Sequence, residues 1–361
     1  MARTDTDFAV VGGGVLGCLI TREILARTPD ASVVLLERDA VGSGASRRSA
    51  GLHFPRGSSE RVRAMAAYSQ DHYAALKAAR PELPVYALEM TVIADAAQEA
   101  RLRETYLPEA KLRPVAEVAG GIARVPEGKA AWEGDGCQYA DVHALTQLLA
   151  RDLRRTAEFR EGVAVTGLSA GPGAVELALG TGSTLTAGHV VLAPGPWLAA
   201  PAWRDLVAPL GARVKKIVAL HIEVPPVPGD RAVVFQDEDA FLLPYHKRGH
   251  WLFSYTCQEW DVDPDTLATG VSAADRREAL DVLARYAPQL ADRCVSGRVF
   301  CDAYGPDMQP LIRPLTDDGR VVFAGAANGS GYRLAPAIAA ETAGLLPLPS
   351  QRLPHRRKDA A

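Results

Sequence analysis

The 361-residue sequence has no Cys-x-x-Cys pair, no run of eighteen apolar residues, no large surplus of charge and no internal repeat. Each absence removes a class of protein. The five cysteines, Cys18, Cys137, Cys257, Cys294 and Cys301, are scattered and odd in number. That fits a reducing compartment and supplies neither a disulfide framework nor a zinc site. Without a long apolar run no membrane partner is expected. A net charge of −3 argues against a nucleic-acid partner held by phosphate contacts. The amino terminus carries Asp5 and Asp7, where a secretory leader would be basic. The chain therefore reads as soluble and cytoplasmic, and a homo-oligomer is compatible with it. The end from residue 349, with Arg356, Arg357 and Lys358, reads as a frayed basic tail, flexible over 351–361.

What is present begins at residue 8. Phe8 to Val11 is a short apolar run, and Gly12-x-Gly14-x-x-Gly17 follows, with Val15 and Leu16 as spacers. A helical stretch then covers Leu19 to Arg27. Strand, tight turn and helix in this order form a dinucleotide fingerprint. Gly12 lets the chain reverse, Gly14 lets backbone N–H groups approach a pyrophosphate, and Gly17 lets helix and strand pack closely. The helix N-terminus brings partial positive charge to the phosphates. A second strand, Ser32 to Leu36, ends in Glu37, twenty residues past Gly17 and followed by Arg38. An acid there accepts hydrogen bonds from ribose hydroxyls.

The loop after it is rich in small and hydroxyl residues: Gly42, Ser43, Gly44, Ala45, Ser46, Arg47, Arg48, Ser49, Ala50, Gly51, Leu52. Its serines can donate to phosphate oxygens and its arginines can neutralise them. Helices are expected over 59–79, around 98–106, from the Asp141 cap to Arg155, over 273–286 and over 335–345. Strands are expected at 85–93, 162–165, 174–179 and 189–193, the last running into Ala193-Pro194-Gly195-Pro196-Trp197. Segments 214–224, 232–235, 241–245 and 250–255 alternate like an antiparallel sheet. A strand at 320–324 meets a second glycine-rich turn, Gly325 to Gly331. The pattern is α/β: a Rossmann-like domain from 1–80, 141–210 and 303–350, interleaved with a second domain from 81–140 and 211–302 built on a mixed or antiparallel sheet flanked by helices.

The fingerprint with Glu37, the 42–51 loop, the Gly305-Pro306-Asp307 turn and the ending Asn328-Gly329-Ser330-Gly331-Tyr332-Arg333-Leu334-Ala335-Pro336 together resemble the flavin-dependent amine and amino-acid oxidases of the glycine oxidase, sarcosine oxidase and D-amino-acid oxidase group. The resemblance spans about residues 6–347 and is nearest in feel to glycine oxidase. It implies FAD, bound without a covalent bond. Gly12, Gly14 and Gly17 would cradle the pyrophosphate and Glu37 the ribose. Residues Ser43 to Arg48 would line the pyrophosphate and ribityl chain, with Val163 at the adenine and Gly195 near the ribityl chain. The Gly329 to Arg333 turn would sit at the pyrimidine side of the flavin. The implied chemistry is hydride removal from the carbon beside a neutral amine, hydrolysis of the imine, and reoxidation of the flavin by O2 with release of hydrogen peroxide. The implied substrate is a small carboxylate-bearing amine of the glycine type; an N-substituted glycine would give glyoxylate and a free amine. Alternatives are a dehydrogenase that reports to a quinone or other acceptor, and a non-catalytic flavin subunit of a hetero-oligomer.

The resemblance makes Arg333 the carboxylate clamp, with His53 and Arg56 as candidates for a second cation. Phe241 stands where many members carry a tyrosine over the substrate. Phe241 and Tyr255 belong to an aromatic cluster that can wall an apolar pocket. Asp302 stands where glycine oxidase has an arginine, and the Leu252/Phe253 region where sarcosine oxidases have a lysine. Cys301 is near where some members attach flavin covalently; a buried inert thiol is the expected state.

Overall fold

The computed structural model describes residues 5–348; the expected tail and the last residues of the expected nucleotide domain lie outside them. Thr6–Val11 is flanked by two parallel strands, Val33–Leu36 on one side and Thr184–Leu192 on the other. Glu158–Arg160 and Val321–Gly325 extend the sheet in parallel, and Leu311–Pro314 closes one edge antiparallel. A hairpin, Val165–Gly171 with Ala174–Leu179, joins Thr184–Leu192 antiparallel. The parallel strands read as unbroken apolar runs because both faces are covered. Val10, Leu35, Val191 and Val322 face a core shared with helices Val15–Arg27, Val142–Leu153 and Gly331–Leu345. Ala9, Val11, Val34, Leu36, Val190 and Phe323 face the opposite core.

The strands on either side of Thr6–Val11 connect in opposite directions in sequence. This is the topological switch point, where a crevice opens beyond the carboxyl ends of the strands. Gly12 and Ala193 stand at its mouth.

The second sheet is mixed. Its order is Cys294–Tyr304, Arg213–Ile222, His250–Tyr255, Ala240–Tyr245, Ala232–Phe235, Val85–Asp95, Lys129–Ala140, Leu52–His53, with only the Ala232–Phe235 and Val85–Asp95 pair parallel along that path. Helix Ala273–Tyr286 covers one face. Its start is fixed by a capping box: Ser272 accepts from the Asp275 N–H and Asp275 accepts from the Ser272 N–H. The other face, with Ile217, Val234, Leu243 and Phe300, looks toward the first sheet and walls the site described below.

Several elements differ from the sequence reading. The last helix starts at Gly331, not Ala335, so Tyr332 to Leu334 form its first turn. Pro336 inside it cannot donate to the Tyr332 carbonyl, and the Tyr73 hydroxyl donates there instead, at 2.7 Å. Strand Cys294–Tyr304 escaped notice because Ser296, Gly297 and Arg298 blur the alternation. The expected strand at 162–165 lies at Val165–Gly171, and Glu158–Arg160 is an added short strand. Residues Ala45–Arg48 form one helical turn where a loop was expected. The first sheet takes its strands from 6–36, 158–192 and 311–325, and the second takes its strands from 52–53, 85–140, 213–255 and 294–304. Among the described residues no helix is long and apolar enough to cross a membrane.

Candidate active site

The first corner is built by backbone proximity. Gly12 has φ +109°, and a Cβ there would stand 2.2 Å from the Ala193 carbonyl oxygen. A Cβ on Gly17 would lie 1.9 Å from the Gly12 carbonyl oxygen. Neither position admits a side chain. Around Gly14 the space is open, with only Ser46 Oγ within 4 Å of an added Cβ, at 3.2 Å. Gly14 is also the N-cap of helix Val15–Arg27 and offers no capping side chain. Ser46 Oγ accepts the Val15 N–H at 2.9 Å. The N–H groups of Leu16 and Gly17 in the same first turn have no acceptor within the helix.

Glu37 ends the second strand at this corner, and its carboxylate accepts the Gly13 N–H at 2.8 Å and the Asp39 N–H at 3.0 Å. The Val163 N–H donates to the Glu37 carbonyl at 2.9 Å, so the expected adenine contact lies beside the expected ribose contact. Arg38 ion-pairs with Asp265 at 2.7 Å and lies over the Trp197 ring at 4.2 Å, and the Trp197 indole N–H donates to the same carboxylate at 2.7 Å. An added Cβ on Gly44 would meet that indole at 3.1 Å. Gly195, with φ +59°, turns the chain just before it. Ser43 and Ala45 are half-buried, Arg47 is exposed and Arg48 half-buried; the Arg48 carbonyl accepts from Arg298 at 3.1 Å. Gly51, at φ +69°, lies against the Ala140 carbonyl, 2.1 Å from where a Cβ would be. Leu52 follows as a buried edge residue of the second sheet.

The second corner is the Gly325–Gly331 turn. Ala326, Asn328 and Gly329 all have left-handed φ, at +49°, +55° and +70°. Asn328 is a tie within the protein: its side chain accepts the Gly305 N–H at 2.9 Å and donates to the Ala326 carbonyl at 3.1 Å. Beyond Gly331 nothing lies within 4 Å of an added Cβ, and helix Gly331–Leu345 begins with no side-chain cap. The Tyr332 hydroxyl is buried without a partner.

Between the second corner, the Ser49–Leu52 stretch and the second sheet lies a cavity of about 840 Å³, counting its open mouth, lined by Phe54, Arg56, Gln236, Phe241, Asp302 and Arg333 among others. Arg333 is only 7 % exposed. One of its N–H groups donates to the Arg56 carbonyl, and another to Ser330 Oγ at 2.8 Å. Arg56 donates to Gln236. Both guanidinium groups lie over the Phe54 ring, at 4.5 Å and 5.3 Å. The hydrogen-bond acceptors on both arginines are neutral. Burial first, and then the Arg56 cation, pull the Arg333 guanidinium down to about 9. Two adjacent cations without a carboxylate form a receptor for an anion, and planar guanidinium suits a carboxylate.

Not every candidate residue reaches the cavity. His53 is fully buried and is not part of its lining. Burial, and then Arg333, push its imidazole down to about 3, so it is neutral at pH 7; Arg56 is the cation that lines the cavity beside Arg333. Tyr255 packs in the core under helix Ala273–Tyr286, on the far side of the sheet, because strand alternation gives the cavity to Ser254 and Thr256. Phe241 does line the cavity. Cys301 alternates away from it while Phe300 and Asp302 line it. Burial, the largest effect, raises its thiol to about 12, so it is an inert core residue at neutral pH. Phe54, Gln236 and Tyr73 were not singled out from the sequence. Phe54 lies between two expected site residues and could have been found; the other two are brought in from distant elements.

An open cradle at Gly14, an uncapped helix start at each corner and an orphaned Tyr332 hydroxyl are what a bound dinucleotide cofactor would complete. Fold and site thus define a dinucleotide-binding α/β protein with a cation-lined cavity against its second sheet. The chain belongs to the FAD dependent oxidoreductase family (DAO), whose profile matches residues 7–345, and its cofactor is FAD. Solved structures share the fold. L-proline dehydrogenase from P. horikoshii superposes with a TM-score of 0.80 at 17 % identity, covering 95 % of this chain and 93 % of that one. Glycine oxidase from Geobacillus kaustophilus gives 0.76 at 21 %, with 94 % of each chain covered. Iminodiacetate oxidase from Chelativorans sp. BNC1 gives 0.74 at 20 %, again with 94 % of each covered. No curated protein matches the sequence significantly.

Proposed function

We propose that this FAD-dependent oxidoreductase oxidises a small carboxylate-bearing amine of the glycine type, with N-substituted glycines as the leading substrates and O2 as the acceptor. The observation that carries the reading is the buried Arg333 beside Arg56, both facing the cavity and neither ion-paired to an acid among the described residues. The first-sheet body would hold FAD non-covalently through Gly12, Gly14, Gly17, Glu37 and Ser46. The second-sheet face, with Phe241 and Phe300, would wall the substrate. FAD, when bound, supplies the hydride acceptor. The chain's own part is to grip the carboxylate with Arg333 and Arg56, to orient the amine-bearing carbon, and to exclude water with Phe54 and Phe241. The start of helix Gly331–Leu345 would offer N–H groups and partial positive charge to an electron-rich cofactor edge.

The test is anaerobic mixing of the yellow holoenzyme with N-alkyl glycines and with D- and L-amino acids, following flavin absorbance. Bleaching by N-alkyl glycines is expected. Turnover of simple D-amino acids with N-alkyl glycines left untouched would remove the substrate assignment. A second reading, a dehydrogenase, is favoured by the buried apolar Leu252 and Phe253, which stand where the resemblance to sarcosine oxidases implies a lysine. Hydrogen peroxide release in air separates the two.

A further inference from the structure

The cavity holds charge of both signs. Arg56 and Arg333 gather at Phe54 and Ser330, whereas Asp302 lines it from strand Cys294–Tyr304. The Asp302 carboxylate comes 4.0 Å from where a Cβ on Gly329 would stand, and the Tyr304 hydroxyl 3.2 Å from the same point. Lys215 is its register partner on the adjacent strand, but the Lys215 ammonium lies over the Trp260 ring at 4.8 Å and the Tyr304 ring at 5.6 Å. No ion pair reaches Asp302 among the described residues, and burial alone moves its carboxyl, up to about 6. At neutral pH it is therefore a largely ionised carboxylate, half-buried in the cavity wall and unpaired among the described residues. Once a ligand fills the cavity and displaces its water, such a group is costly unless a cation joins it.

We propose that Asp302 receives a second, non-reacting cation of the substrate, so that the preferred substrate is a carboxylate-bearing amine with an additional basic nitrogen. This rests on the carboxylate reading of Arg333 and Arg56. The cation is not the reacting amine itself. A carboxylate beside that nitrogen would favour its protonated form, and a protonated amine has no lone pair to drive hydride loss. An aliphatic ammonium elsewhere on the substrate has no such conflict.

The test uses near-isosteric pairs with the holoenzyme: N-propylglycine against N-(2-aminoethyl)glycine, and norvaline against 2,4-diaminobutyrate in both enantiomers. Anaerobic flavin reduction gives the rate and apparent affinity for each. The cationic member of the productive pair is expected to be favoured by about tenfold or more, and Asp302→Asn to bring that ratio close to one. A wild-type preference for the neutral member overturns the proposal, as does a ratio that survives in Asp302→Asn. If Asp302→Asn does not fold with FAD, the wild-type ratio decides alone. Failure of the underlying reading looks different: no member bleaches the flavin, and butyrate leaves the oxidised spectrum unperturbed. That result overturns both.

Discussion

The two glycine-rich corners do similar work by different means. At Gly12–Gly17 the constraint is contact between backbones: the missing side chains are the mechanism, and the partners, Gly12 with Gly17 and Ala193 with Gly12, are main-chain atoms. At Gly325–Gly331 the glycines are less crowded, and two of the left-handed residues, Ala326 and Asn328, are not glycine. That turn is held by side-chain hydrogen bonds to distant elements: Tyr73 donates to the Tyr332 carbonyl, Asn328 accepts from Gly305, and Arg333 donates to the Arg56 carbonyl. The first corner rests on main-chain crowding; the second rests on side-chain bonds across the fold.

The sharpest way to break the comparison is to add one methyl group at each corner. Gly17→Ala places a carbon 1.9 Å from a carbonyl oxygen, so the helix must move off the strand. A cost of about 3 kcal/mol or more is expected, seen as loss of yellow holoprotein and a fall in the urea midpoint. Gly331→Ala enters open space at a helix start, where alanine also lowers the entropy cost of folding. Its urea midpoint without FAD is expected to hold or rise. A normal Gly17→Ala protein would show that the first corner is not a steric device.

Next in size is the second corner's arginine. Arg333→Leu removes one of the two cations facing the cavity and should cost about 2–5 kcal/mol of substrate binding, at least about thirtyfold in KM. FAD content should be retained. An unchanged KM would take Arg333 out of the clamp. Smaller again is Tyr73→Phe, which leaves the Tyr332 carbonyl beside Pro336 without its donor. About 1–3 kcal/mol of stability is expected to go, with a lower Tm for the holoprotein; an unchanged Tm would mean another donor or a water replaces the hydroxyl.

The same contrast explains what could be read in advance. The α/β class, the parallel strands and the Gly12–Glu37 unit were legible because apolar runs, glycine spacing and the acid at Glu37 lie within forty residues. The second turn was visible as a glycine-rich stretch and its role came through resemblance, but its geometry was not legible: no local rule moves the helix start to Gly331 when Pro336 follows, since the remedy is a hydroxyl on Tyr73. Arg56 and Arg333 were both visible as candidates, but their common acceptor network, with Gln236 and Phe54, depends on strands far apart in the chain. His53 and Tyr255 were misplaced for one reason. A residue's type suggested chemistry, while strand alternation and depth decided which side of the sheet it reached.

Acid should probe the second corner more than the first, because His53 is enclosed beside it, edge-on to Tyr73 at 6.4 Å and close enough to feel Arg333. Burial holds its imidazole neutral in the folded state down to about 3, against an ordinary value of 6.5. Between those values the unfolded chain binds the proton that the folded chain refuses, so stability rises with pH. The contribution is fully present above about 6.5 and drains away as pH falls toward 3. His72 and His221, each lowered to about 4 by burial first, act in the same direction. Asp302, raised by burial from 3.8 to about 6, acts oppositely between those two values. His53→Gln removes one titrating site from the set, so the loss of stability between pH 6.5 and 4.5 should become shallower by up to about 1.4 kcal/mol per pH unit. Urea midpoints of the two holoproteins at those pH values measure it. If the variant loses stability as steeply as the wild type, the proton taken up on acid unfolding belongs to other groups, and His53 is not what makes this corner sensitive to acid.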